Sequence, residues 1–161
     1  GSWSSWQEKD TEGNILKFKT PLHPYPDVDF SWSPTTLGEA PQTVNFTDNS
    51  TCYCLKPNGD ILSFPCSPDS STYPSACSPK VSKIEYYWDF NYIEGENVET
   101  NPDSTQENPS YTYYTEGHYD VYLLIKQTDA TSTFSVFKCY SLKTLSIGAK
   151  EFPLWKEVKP E

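Results

Sequence analysis

Apolar and polar residues alternate with a period of two along most of the chain, the signature of half-buried strands. Val28, Phe30 and Trp32 alternate with Asp27, Asp29, Ser31 and Ser33, and Val44 and Phe46 with Thr43, Asn45 and Thr47. Ile84, Tyr86, Trp88 and Phe90 alternate with Glu85, Tyr87 and Asp89, and Tyr119, Val121, Leu123 and Ile125 with His118, Asp120, Tyr122 and Leu124. From Ser132 to Ile147 the pattern is less clean. Phe137, Leu145 and Ile147 share one parity, Val136, Tyr140 and Leu142 the other, so the pattern predicts a bulge near Lys143. No apolar stripe with helical spacing competes. Strands of this length, separated by turn residues, predict an antiparallel β-sandwich with Trp88 at the centre of its core.

The ends read differently. Residues 1–26 form a lead-in in which Trp3, Trp6, Ile15, Leu16 and Phe18 are scattered among charges, and Pro21, Pro24 and Pro26 enforce extended backbone. The start Gly1-Ser2 reads as a tag scar and the chain contains no Met, which together suggest a piece excised from a longer protein. The sandwich is expected over 27–147 and a polar linker over 148–161, where Trp155 is available to pack onto the domain or a neighbour.

Composition narrows the function classes. The chain has 161 residues, of which 35% are hydrophobic and 16% aromatic, so large rings rather than many aliphatics must fill the core. Twelve basic residues, all of them Lys, stand against 22 acidic ones, for a net charge of −10. No basic stripe is available to neutralise phosphates, which argues against nucleic-acid binding. Anionic lipid surfaces are disfavoured for the same reason, and no apolar run approaches the roughly 20 residues of a membrane-spanning helix.

Cys52, Cys54, Cys66 and Cys77 fall in a Pro- and Ser-rich stretch, and Cys139 lies far downstream. Such a stretch cannot build its own core, so cross-links are its expected source of order. The spacing departs from the usual zinc pattern, with Cys-x2-4-Cys on both arms, and favours disulfides over a thiolate metal site. Cys52 and Cys54 sit on one side of an extended strand, so each needs a partner among Cys66, Cys77 and Cys139, with one Cys left over. Disulfides imply an extracellular setting, in which Asn45-Phe46-Thr47 and Asn49-Ser50-Thr51 are glycosylation sequons.

Four separate motifs resemble those of the polycystic kidney disease (PKD) domain, an immunoglobulin-like two-sheet antiparallel β-sandwich. Tyr86-Tyr87-Trp88-Asp89-Phe90 is similar to the start of the family's Tyr-Tyr-Trp-Asp-Phe-Gly-Asp-Gly run. Asn108-Pro109-Ser110-Tyr111-Thr112-Tyr113 and Gly117-His118-Tyr119-Asp120-Val121-Tyr122-Leu123 are similar to its two later motifs. Phe30-Ser31-Trp32-Ser33-Pro34 and the run from Ala40 to Ser50 resemble its first two strands. The resemblance covers 27–147 apart from a Cys-rich insertion at about 52–80. It departs where Asn91-Tyr92-Ile93-Glu94-Gly95 replaces the tight Gly-Asp-Gly turn. In physical terms, Gly117 supplies a bend before a strand, Tyr119 stands as a tyrosine-corner residue, and Asp89 can accept backbone N–H bonds in the following turn.

Candidate chemistry is sparse. His23 and His118 have no nucleophile in a recognised motif beside them. Glu94, Glu96, Glu99, Asp103 and Glu107 form an acidic run that reads as a solvated, self-repelling loop, with Glu94 and Glu96 as weak Ca²⁺ candidates. Tyr87, Tyr92, Tyr111, Tyr113, Tyr114 and Tyr122 include rings expected to face outward, for sheet packing first, protein contact second and glycan contact third. The expectation is a non-catalytic extracellular module, a spacer or contact domain of a cell-surface, appendage or secreted protein, with a role in adhesion. Its expected partners are other surface proteins or neighbouring domains of the same chain. The alternative is a carbohydrate-binding accessory module of a secreted hydrolase: the aromatic excess permits stacking on sugars, and the PKD resemblance implies a place beside secreted hydrolases.

Overall fold

The computed structural model describes residues 8–9, 15–16, 25–130 and 136–148. Two short strands near the start, β1 (Glu8–Lys9) and β2 (Ile15–Leu16), pair antiparallel. The others are β3 (Phe30–Ser33), β4 (Gln42–Asp48), β5 (Thr51–Leu55), β6 (Ile61–Pro65), β7 (Val81–Asp89), β8 (Ser110–Tyr113), β9 (Gly117–Asp129) and β10 (Val136–Ile147). A single 3-10 turn at Ser70–Thr72, capped by the Asp69 carboxylate, is the one helical element among the described residues.

Two three-stranded antiparallel sheets face one another, ordered β3-β4-β8 and β10-β9-β7. The all-β sandwich follows from the period-two pattern, because each strand turns its apolar parity towards the other sheet. Phe30, Val44 and Phe46 from the first sheet meet Trp88, Val121, Leu123 and Ile125 from the second. Trp88 is 0% exposed. Its ring centroid lies 5.2 Å from Phe30 and 5.6 Å from Phe46, and its indole N–H donates to the Gln106 carbonyl at 2.8 Å. The polar atom of the largest core side chain is thereby satisfied, as burial requires.

The Cys-rich insertion is more regular than its composition suggests. β5 and β6 form an antiparallel hairpin closed at Lys56–Asp60, where Gly59 takes φ 86°. Disulfides join Cys52 to Cys66 and Cys54 to Cys77, with Cα atoms 5.0 and 5.6 Å apart. Cys52 and Cys54 share a strand face, so their cystines enter the same core cluster as Trp88. The Gln127 side-chain amide donates to the Tyr53 carbonyl and ties the hairpin to β9.

The bulge expected near Lys143 is absent. β10 pairs with β9 in unbroken register from Val136↔Thr128 to Ile147↔Gly117, and the register irregularity lies at Val81–Lys83 in β7. Continuous pairing puts Leu145 and Ile147 inward and leaves Val136, Tyr140 and Leu142 outward. The mixed parity reflects apolar residues on both faces of the strand rather than a shift between them. Most of the lead-in and of the C-terminal linker, including Trp3, Trp6, Phe18, His23 and Trp155, falls outside the described residues.

Candidate functional site

The outward face of the β10-β9-β7 sheet is organised in cross-strand rows fixed by the register. Glu85, Lys126 and Lys138 form one row, Tyr87, Leu124 and Tyr140 the next, and Asp89, Tyr122 and Leu142 a third. Tyr92 follows β7, and its backbone N–H donates to the Asp120 carbonyl, which brings its ring beside β9. The rings of Tyr92 and Tyr122 stack at 4.6 Å, and those of Tyr122 and Tyr140 at 4.9 Å, inclined by 24° and 16°. Tyr122 is the middle ring, covered on both faces. Tyr140, 62% exposed, is the outer ring, with Leu142 47% exposed beside it.

A cleft of about 380 Å³ opens along this stack, lined by Tyr92, Glu94, Asp120, Tyr122, Tyr140 and Leu142. Asp120 accepts a hydrogen bond from the Thr144 hydroxyl at 2.5 Å. Burial pushes the Tyr122 phenol up to about 12, with Tyr92 and Tyr140 adding to it. At the other end of the face the charges are compensated. Lys83 pairs with Glu85 at 2.7 Å, and Lys126 lies 3.5 Å from Glu99, which also pairs with Lys138 at 2.5 Å. Tyr87 borders this row, its phenol pushed up to about 12 by burial and by the Glu85 carboxylate.

Of the tyrosines expected to face outward, Tyr87, Tyr92 and Tyr122 share this surface. Tyr113 does not: it is 2% exposed. Its ring packs between Tyr111 and Tyr119, at 4.8 and 4.4 Å, and its hydroxyl donates to the Phe90 carbonyl. A large ring with a reachable carbonyl is more stable inside than in water. Tyr111 is half-buried and stacks on Phe90, while Tyr114, 79% exposed, follows β8 in the other sheet. Tyr140 was missed because the supposed bulge obscured its parity; counting back from Ile147 by twos would have placed it outward.

The signature residues occupy structural positions. The Tyr86 hydroxyl donates to Asp48 Oδ2 at 2.9 Å, and Asp48 also accepts from the Ser50 hydroxyl and N–H. Burial outweighs these bonds and raises the Asp48 carboxyl above its ordinary range. Asp89 accepts from the Asn91 N–H in the turn after β7, Phe90 and Val121 are buried, and the Tyr119 hydroxyl donates to the Thr115 carbonyl. Gly117 opens β9 with φ 156°, where an added Cβ would lie 3.7 Å from the Tyr119 ring.

The acidic run is solvated at Glu94, Glu96 and Asp103, and several of its acids have local donors. Glu99 sits between two lysines, Asp103 accepts from the Phe90 N–H, Glu96 from the Ile93 N–H, and Glu107 from the Ser67 hydroxyl. These local donors offset the repulsion that the bare sequence implies. Glu94 and Glu96 also diverge: Glu94 lines the tyrosine cleft, and Glu96 a separate cavity of about 420 Å³ with Asp89 and Asp103. Among the described residues, no three or more His, Cys, Asp or Glu side chains are grouped as metal ligands.

His118 Nδ1 lies 2.7 Å from the hydroxyl of the half-buried Ser146. Cys139 is the cysteine left over, half-buried on β10, its thiol pushed up by burial and by the Asp27 carboxylate. Two disulfides fit an extracellular or secreted protein. Among the described residues, no helix is long and apolar enough to cross a membrane. Comparison of the chain with protein-family models, with curated proteins and with solved structures finds no match.

Proposed function

We propose that this chain is a PKD-like, immunoglobulin-like module of a larger cell-surface, appendage or secreted protein, and that it works without catalysis as a spacer and contact domain. The observation that carries the reading is the solvent-facing stack of Tyr92, Tyr122 and Tyr140 with Leu142. Exposed rings on a rigid sheet are characteristic of surfaces that bind, because Tyr contributes large contact area for little lost side-chain freedom. The Trp88 core, the Tyr119–Thr115 bond and the two cystines support a stiff scaffold behind that face. Adhesion or appendage assembly is the role this arrangement suits.

The test is saturable binding of the immobilised domain to proteins of the surface that bears it. Changing Tyr140→Ser and Leu142→Ser should abolish that binding with the melting temperature lowered by only a few degrees. Binding that survives both changes rejects this face as the contact. The second reading, a carbohydrate-binding accessory module, draws on the open Tyr140 ring, since a flat ring can stack on a sugar face. Saturable binding of a neutral oligosaccharide, lost on Tyr140→Ala, would favour it.

A further inference from the structure

The tyrosine cleft carries acids without bases. Three of the described lysines, Lys83, Lys126 and Lys138, are engaged by Glu85 and Glu99 at the opposite end of the face. Lys143 belongs to the inward parity of β10, where its ammonium pairs with Asp29 at 2.6 Å and bonds the Phe30 carbonyl. Glu94 and Asp120 therefore line the cleft with no ion pair to a lysine among the described residues. The surrounding protein, at −10, reinforces their negative potential.

The rings favour the same kind of guest. Tyr122 has both faces covered, so the stack is not a row of free platforms for successive sugar rings. What remains open is Tyr140, 62% exposed, which lines the same cleft as Glu94 and Asp120. An aromatic face attracts a cation within about 6 Å of its centre, and carboxylates accept the N–H bonds of an ammonium or guanidinium. Leu142 supplies apolar surface for the methylene stem that such a side chain carries. A cleft of about 380 Å³ has room for one or two long side chains.

We propose that the cleft between Glu94, Asp120 and the Tyr140 ring receives a lysine or arginine side chain from a basic segment of a protein partner. This rests on the reading of the tyrosine face as a contact surface and names the chemistry of what it contacts. Specificity comes from the pairing of ring and carboxylate, and the charge of the whole domain accelerates encounter with a basic partner.

The test titrates the isotope-labelled protein with a capped hexalysine peptide and follows amide shifts by NMR. Shifts should concentrate at Tyr92, Glu94, Asp120, Tyr122, Tyr140 and Leu142. Glu94→Gln combined with Asp120→Asn should weaken binding by about tenfold, as should Tyr140→Ala. Asp60→Asn with Asp69→Asn, an equal charge change in the Cys-rich segment, should leave it unchanged. Diffuse shifts, or equal weakening by the two double variants, would mean non-specific attraction and overturn the proposal. A neutral oligosaccharide that shifts the same amides when hexalysine does not would also overturn it. If binding to the native surface is lost on Tyr140→Ser but unaffected by Glu94→Gln with Asp120→Asn, the basic partner is rejected and the contact reading stands.

Discussion

The two faces of the β10-β9-β7 sheet arise from the same alternating strands and finish in different ways. Inward, Trp88, Val121, Leu123 and Ile125 are buried against Phe30 and Phe46, and the indole N–H has its carbonyl. Outward, one end is a row of ion pairs and the other a tyrosine stack above two acids without lysine partners. A face whose apolar area and charges are answered within the chain has little left to offer a partner. The tyrosine end is answered only in part, which is why the proposed contact is placed there.

Breaking the inward face should cost most. Trp88→Ala removes the ring contacts and leaves the Gln106 carbonyl without its donor, for an expected loss of about 3–5 kcal/mol in chemical denaturation. A loss below about 1 kcal/mol would remove Trp88 from the centre of the core. Next comes the Cys54–Cys77 link, which anchors the Cys-rich segment into the same core. Replacing both residues by Ser should cost about 2–4 kcal/mol, measured by the same denaturation.

The pH dependence sharpens the contrast between buried and paired acids. Asp48, Asp89, Glu107 and Asp129 are all held above the ordinary carboxylate range, in each case mainly by burial. The folded state binds protons at these sites more tightly than the unfolded chain. Their stabilising effect therefore grows as pH falls through the folded values and is complete below the unfolded ones. Glu85 and Glu99 are held low, first by hydrogen bonds from Lys83 and Lys138, so their contribution is present at neutral pH and lost in stronger acid. The melting temperature should rise as pH falls from neutral towards the ordinary carboxylate range and fall in stronger acid. A steady fall from neutral pH would contradict the buried assignments. The smallest effect belongs to the ion-pair row, where Glu99→Gln should cost no more than about 1 kcal/mol in thermal melts at low salt.

Much of this was legible in the residues. Strict alternation around Trp88 and Val121 placed the core, because a one-residue slip would expose every ring. The parity of Cys52 and Cys54 excluded a bond between them, and Cys139 is the cysteine left unpaired. What resisted reading was the outward aromatic set. Tyr113 and Tyr140 are the same residue type in strands, yet one is buried and the other open. The sequence does not reveal that the Phe90 carbonyl waits for the Tyr113 hydroxyl, or that Tyr122 crosses to Tyr140. Nor does it reveal that Glu99 is answered by Lys126 and Lys138, which lie on strands far away in sequence.

The most direct test of the contact face compares stability and binding in one variant, Tyr122→Ser with Tyr140→Ser. Cross-strand stacking of this kind contributes about 0.5–1.5 kcal/mol. The variant removes both stacks, so a loss of about 1–3 kcal/mol is expected in denaturation, together with loss of hexalysine binding. A loss as large as that of Trp88→Ala, with hexalysine binding intact, would make the stack part of the packing and remove it as a site.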